Sequence, residues 1–381
     1  MTRQHWDIFC TVIDNYGDIG VAWRLARRLA HDRGLAVRLW VDDLASFARI
    51  APGLDPALPQ QTLAGIDIRQ WPLAGFPPDV VPGDVVVEAF ACRLPDSFEE
   101  AMAAKPAKPA WINLEYLSAE DWTLSHHKLP SPHPRLPLTK HFFFPGFDAA
   151  SGGLICEDGL IAAREAWQAD PAAQQAYWRR RGLPPPQAGE LRVSLFAYEN
   201  PAATALLRAW ADGAQPVSCL VPAGKVQADV ERVFGKALRP GEPANLGNLT
   251  VHILPLSGQD DYDRLLWGCD FNFVRGEDSL VRAQWAARPL AWHIYPQDDD
   301  AHLDKLRAFL DHYCQGLPAE AAQAARALNL AWNQGGDIAA AWRRAAPCLP
   351  AWRQHATNWQ QALLQPGDLV VRLLHFIADI G

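Results

Sequence analysis

Two series of short apolar runs alternating with helix-like segments, one on each side of the stretch "RRRGLPPPQAGE" (179–190), constrain the fold of this chain more than any other feature. Short strands alternating with longer helices read as parallel sheets covered by crossover helices, an α/β architecture. In the first series, strands are expected over 6–13, 35–43, 66–71, 84–91 and 109–117, with helices over 19–34 and 96–105. Three consecutive prolines, Pro184 to Pro186, then follow a charged helix end and precede polar residues, which marks a linker. The alternation restarts with strands over 191–198, 217–223, 248–256, 270–276 and 289–295, and helices over 202–213 and 225–235. From 299 the pattern is almost wholly helical. The apolar spacing of 368–380 suits a helix packed on a larger body, expected to cross back to the first domain. A length of 381 residues fits two domains better than one core. The expected division is 1–182, completed by a C-terminal helix over 358–381, and 190–357.

Composition removes several classes of function. The chain is 49% apolar and 20% charged, as soluble globular proteins are. No window reaches the roughly 20 uninterrupted apolar residues of a membrane span. The opening "MTRQHWDIFC" lacks the order of a signal peptide, so a cytoplasmic protein is expected. A net charge of -8 argues against nucleic acid as a partner, which calls for a basic face. Seven dispersed cysteines without a CxxC pair read as buried thiols in a reducing compartment. The prolines of "HHKLPSPHP" (126–134) forbid the helical histidine spacing of a metal site, so this segment reads as a loop and no metal is expected.

Open α/β sheets bind ligands beyond the carboxyl ends of their strands, so the residues just after each strand carry the functional argument. After the first strand comes "DNYGDIG", with Asp14 and Asp18 flanking Tyr16-Gly17 before a helix expected from about Ile19. It occupies the place of a dinucleotide-binding loop, but its two carboxylates would repel a pyrophosphate. They suit a cation or a proton to be removed. The competing reading is structural, with Asp18 capping the helix and Asp14 ending the strand. The second place is "DFNFVRGEDSLVRAQWA" (270–286), where a strand runs into Arg275-Gly276 and a helix opens with Glu277, Asp278 and Ser279. A helix start after a glycine offers backbone N–H groups and a positive dipole end to a diphosphate, with Arg275 adding charge and Ser279 a hydroxyl. Here the competing reading makes Asp278 or Ser279 a helix cap and Arg275 its surface partner. Phe196 and Tyr198, on one face of a strand end, could stack a flat base or fill a core. Gln259 and Tyr262 fall in a loop after another strand, and Glu115 and Tyr116 end a strand of the first domain.

Taken together, "DNYGDIGVAWRLARRL", "INLEYLSAEDW", "KHFFFPGF", "SLFAYEN", "RGEDSLVRAQWA" and "PLAWHIYPQ" resemble the EarP family, protein-arginine rhamnosyltransferases acting on translation elongation factor P. The resemblance implies a GT-B glycosyltransferase fold, two Rossmann-like domains facing a central cleft. It implies an acceptor-binding N-terminal domain and a C-terminal domain that binds the donor dTDP-β-L-rhamnose. It further implies transfer with inversion to an arginine of the factor, activating it for ribosomes stalled at polyproline, with no cofactor or metal. By the same resemblance Asp14 and Asp18 are catalytic carboxylates, with Asp18 favoured as base. Tyr16, Gly17, Phe196, Tyr198, Gln259, Tyr262, Arg275, Glu277, Asp278 and Ser279 bind the donor, and Glu115 and Tyr116 lie on the acceptor side. Tyr262 stands where the family pattern suggests phenylalanine. The alternatives are a GT-B enzyme acting on a small molecule or lipopolysaccharide, and a noncatalytic nucleotide-sugar or factor-binding protein. Paired aspartates favour a cationic acceptor over either neutral one.

Overall fold

The computed structural model describes residues 4–13, 16–71, 76–77, 79–297 and 300–380. The chain forms two compact units, one of residues 1–158 with 363–381, the other of residues 159–362.

In chain order, the first unit contains β1 (His5–Cys10), α1 (Gly17–Arg27), β2 (Ala36–Val41), α2 (Leu44–Ala48), β3 (Gln60–Leu63) and β4 (Ile66–Gln70). These are followed by β5 (Val85–Ala89), α3 (Asp96–Ala104), β6 (Ala110–Leu114), α4 (Trp122–His126), β7 (Pro130–Pro132) and β8 (Thr139–Phe143). The sheet order is β3-β4-β2-β1-β5-β6-β8-β7. The six inner strands run parallel, with Ile8 of β1 in register with Leu39 on one side and Val87 on the other. β3 and β7 close the edges antiparallel. Strands buried on both faces need apolar residues at every position, which is why β1 and β5 read as continuous runs instead of alternating. Asp7 interrupts β1 at zero exposure and is stabilised by pairing. It accepts from the Arg38 guanidinium, from Trp40 Nε1 at 3.0 Å and from Gly83 N at 2.7 Å. The segment 126–134, read as a loop, contributes the short strand β7, whose residues bond to β8.

The expected helix over 19–34 begins earlier, at Gly17, and changes to a π-helical turn over Arg28–Asp32. That register turns Arg28 onto three carboxylates: Nε lies 3.0 Å from Asp368 Oδ2, Nη1 2.9 Å from Asp32, and Nη2 2.8 Å from Asp158. Asp368 precedes the last helix, α15 (Leu369–Ile380), and accepts from Val371 N at 3.1 Å in its first turn. Leu369, Val370, Leu373, Phe376 and Ile377 of α15 bury in the same core as Ile8, Leu25 and Val87. The expected single helix over 358–381 is interrupted, because Gly367 at φ 91° ends one helix before Leu369 starts the next.

The second unit comprises α5 (Leu160–Ala169), α6 (Pro171–Arg180), β9 (Leu191–Leu195), α7 (Ala202–Asp212), β10 (Val217–Pro222), α8 (Gln227–Phe234), β11 (Ala244–Leu246) and β12 (Leu249–Leu254). It continues with α9 (Gln259–Gly268), β13 (Phe271–Arg275), α10 (Asp278–Ala286), β14 (Leu290–His293), α11 (Ala301–Tyr313), α12 (Ala319–Gln334), α13 (Ile338–Ala345) and most of α14 (Leu349–Leu364). Its sheet order is β11-β12-β10-β9-β13-β14, parallel except for β11. The division differs from the expected boundary at 182: α5 and α6 group with the second unit. Tyr177 and Trp178 of α6 are buried among Leu220, Leu254 and Leu265, with Trp167 of α5 packed against them. Aromatic burial therefore places the boundary near 158, and the three prolines lie inside the second unit.

Candidate active site

In the first unit the carboxyl end of β1 leads into α1. Tyr16 occupies the N-cap position without a side-chain cap bond, and Asp18 is the second helical residue. Asp18 is 3% exposed, and its Oδ2 accepts from Ile13 N at 2.8 Å. It thus closes the β1–α1 turn from behind instead of capping the helix. A carboxylate in a first turn also gains from the helix dipole. Val12 N donates to Asp42 Oδ1 at 2.9 Å, and Arg49 Nη1 donates to the Tyr16 hydroxyl at 3.1 Å. Asp14 lies outside the described residues. Gly17 opens α1.

Two strands further along the same sheet edge, Glu115 follows β6 and accepts from Asn113 Nδ2. Burial first, and the neighbouring Glu88 second, raise its pKa above the usual carboxylate value. Glu88 itself is 1% exposed and accepts from Lys140 Nζ at 2.8 Å and from Arg93 N at 2.7 Å. Tyr116, one of the exposed aromatics of this unit, stacks on Phe90 with ring centroids 4.5 Å apart and planes 18° from parallel. Phe90 and Ala91 hold left-handed backbone (φ 58° and 53°), fixed by Phe90 N donating to Leu114 O and Ala91 N to Asn113 Oδ1.

In the second unit, β13 delivers Arg275 to the carboxyl edge, where at 6% exposure it is buried and not at the surface. Its guanidinium carbon lies 4.3 Å from the Phe196 ring centroid and 4.9 Å from that of Tyr198. One face of each ring offered to a base thus holds a cation instead. The backbone at Arg275 is locked by Ser279, whose Oγ accepts from Arg275 N at 3.0 Å and donates to Arg275 O. Neither Asp278 nor Ser279 caps α10: Glu277 holds the N-cap position with no side-chain cap bond. The ladder of α10 begins with Val281 N donating to Glu277 O, so the amides of the preceding turn lie at its positive end. Gly276 adopts φ 60°, and its carbonyl accepts from Trp292 Nε1 at 2.8 Å. Glu277 pairs with Lys305 Nζ at 3.1 Å.

Gln259 and Tyr262 do not sit in a loop: they occupy the first turn of α9, three residues apart and so on one face. Gln259 Nε2 reaches Asp278 Oδ2 at 3.4 Å, and the Tyr262 ring meets Phe196 edge-on at 5.6 Å. Burial raises the Tyr262 hydroxyl well above its ordinary pKa. The second unit therefore brings Phe196, Tyr198, Gln259, Tyr262, Arg275, Asp278 and Ser279 into one cluster at one sheet edge. Sequence reasoning missed a member of it. His293 ends β14, meets Tyr198 at 5.4 Å and Trp332 at 5.8 Å, and is lowered to about 3 by burial and then by Arg275. The rule that singles out residues at strand ends applies equally to "PLAWHIY" and would have found it.

Comparison with known proteins is consistent along the whole chain. The family model "Elongation-Factor P (EF-P) rhamnosyltransferase EarP" matches residues 6–378. A protein-arginine rhamnosyltransferase of Pseudomonas putida is 51% identical over 377 residues, covering 98% of each chain. One from Neisseria meningitidis serogroup B is 35% identical over 97% of this chain and 96% of its own. A solved structure described as "Structural basis for EarP-mediated arginine glycosylation of translation elongation factor EF-P" superposes with a TM-score of 0.71 at 38% identity, covering 99% of both chains. MurG of Acinetobacter baumannii, 12% identical with a TM-score of 0.51 over 99% of both chains, shares the fold alone.

Proposed function

The chain belongs to the EarP family of protein-arginine rhamnosyltransferases, and we propose that it moves L-rhamnose from dTDP-β-L-rhamnose, with inversion, to one arginine of elongation factor P. It is a glycosyltransferase of GT-B fold that modifies an arginine on a protein. A sugar or lipid acceptor is thereby set aside. The observation that carries the donor reading is Arg275, held over Phe196 and Tyr198 beside the positive end of α10. A buried, rigid guanidinium at a helix start is suited to a diphosphate whose charge grows as it leaves.

A guanidinium nitrogen is a poor nucleophile, because its lone pair is delocalised and the group stays protonated below a pH of roughly 12. In the proposed reaction Asp18 holds the acceptor guanidinium, localises the lone pair and accepts a proton as that nitrogen attacks the anomeric carbon. The new bond is C–N, the broken bond joins that carbon to the diphosphate oxygen, and dTDP departs with the electron pair. Asp14 is assigned to the same grip by the family motif. Arg275 and the amides of α10 take up the charge on dTDP, so no metal is invoked. Gln259, Tyr262, Asp278 and Ser279 shape the nucleotide pocket, and Glu277 binds sugar hydroxyls. Tyr16 and Gly17 complete the donor contacts, and Glu115 and Tyr116 face the acceptor. A rhamnosylated factor would then serve ribosomes stalled at polyproline. Seven free cysteines, six of them buried, suit a reducing compartment, and we place the enzyme in the cytoplasm with its acceptor. Among the described residues no helix is long and apolar enough to cross a membrane.

Incubation with elongation factor P and dTDP-rhamnose, followed by peptide mass spectrometry, tests this reading. One arginine should gain the mass of a deoxyhexose. Modification with a different nucleotide sugar, and none with dTDP-rhamnose, would overturn the donor assignment.

A further inference from the structure

Three neighbouring parallel strands of the second sheet, β10, β9 and β13, end at one carboxyl edge, where open α/β sheets hold their ligands. β9 leads to Phe196 and Tyr198, and β13 ends at Arg275. Shortly after β10 stands Lys225, on a turn that is closely fixed. Gln227 N donates to Gly224 O at 3.1 Å, Ala223 N donates to Leu254 O at 2.7 Å, and Val226 is wholly buried. A Cβ at Gly224 would lie 3.6 Å from Phe196 Cε2, so this loop runs against the Phe196 ring.

The Lys225 ammonium lies 5.8 Å from the centroid of the Tyr198 ring, the ring that the Arg275 guanidinium carbon approaches to 4.9 Å. His293 and Tyr295 meet the same ring edge-on, each at 5.4 Å, so packing fixes its orientation. Lys225 is exposed, and among the described residues it pairs with no carboxylate and its side chain donates no hydrogen bond. An exposed cation over a ring gains little, and two cations sharing one ring repel each other. An anion held by both removes that repulsion.

We propose that Lys225 is a further binding residue for the donor, a second cation on its diphosphate beside Arg275. The inference rests on the donor reading above and extends it to β10, a strand that reading leaves unused. The two cations divide the work by their chemistry. Arg275 is buried and presents a planar fork held against Phe196. Lys225 is a compact charge on a flexible stem, which meets a phosphate as a point charge and can follow it as the sugar departs. A contact made by an exposed side chain is also one that salt screens.

The test is calorimetric titration of the full-length protein with dTDP at low and high salt, in the unmodified chain, Lys225→Gln and Lys225→Arg. K225Q should bind dTDP about tenfold more weakly at low salt, the size of one charged contact. Its affinity and that of the unmodified protein should converge as salt rises, and K225R, which keeps the charge, should retain most of the affinity. The Tm without ligand should be the same in all three, because the side chain is exposed. Equal dTDP affinity in K225Q, a loss that salt does not diminish, or an equal loss in K225R would overturn the proposal. Failure of the donor reading looks different: the unmodified protein then binds no dTDP, and a nucleoside diphosphate that it does bind takes the place of dTDP in the same comparison. Binding of no nucleoside diphosphate would overturn both.

Discussion

A buried carboxylate that accepts a backbone amide serves two purposes at once, and at Asp18 the two can be separated. Asn in its place can still accept from Ile13 N, so the β1–α1 turn persists, but the negative charge and the proton acceptor are gone. Asp18→Asn is therefore expected to lower transfer by about 10² to 10⁴, the usual contribution of a general base, while dTDP affinity by calorimetry stays within about twofold. Transfer close to that of the unmodified enzyme would remove Asp18 from the base role. His293 carries a different kind of consequence. Its folded pKa of about 3 lies below the ordinary 6.5, so the stability tied to its neutral form is complete above pH 6.5 and is lost as pH falls towards 3. By pH 5 the loss amounts to about 2 kcal/mol. Urea midpoints at pH 7 and pH 5 should converge in His293→Phe, which does not titrate. An unchanged pH slope would show that other groups carry the acid sensitivity.

At the scale of elements, strands and crossover helices follow the apolar runs closely, because a buried parallel strand tolerates little else. Boundaries moved where a tertiary contact outbid local pattern. α1 starts two residues early because Asp18 bonds back to Ile13, and α9 forms where turn-like residues suggested a loop. The α1 extension becomes π-helical where Arg28 meets Asp368, some 340 positions later in the chain, and no local signal encodes that pairing. Asp368 joins two roles, as partner of Arg28 and as acceptor for Val371 N. Asp368→Asn should destabilise the first unit by about 2 to 3 kcal/mol, below the full cost of a broken buried pair because Asp32 and Asp158 remain. That corresponds to a Tm lower by about 5 to 10 °C for a unit of this size, readable by scanning calorimetry. An unchanged transition would mean the ion pair is energetically idle.

At the scale of the whole molecule, the last helix belongs to the unit that begins the chain. Removing residues 366–381 strips five buried apolar side chains from the first core, at about 1.5 to 3 kcal/mol each. The sum rivals the entire stability of a domain. The truncated protein is expected to lose the calorimetric transition of the first unit and keep that of the second; survival of both would show α15 to be accessory. The sequence by itself determined the two α/β series, the strand-end positions of Glu115, Phe196 and Arg275, and, through its motifs, the family. Period-two and period-3.6 apolar patterns and contiguous motifs are local, and local order is what a linear string records. Only the tertiary structure decided that α5 and α6 join the second unit, that Arg275 lies against Phe196 and Tyr198, and that His293 completes their cluster. These are encounters between residues far apart in the chain, fixed by aromatic burial and by the cost of leaving a charge unpaired, and both are properties of the packed interior.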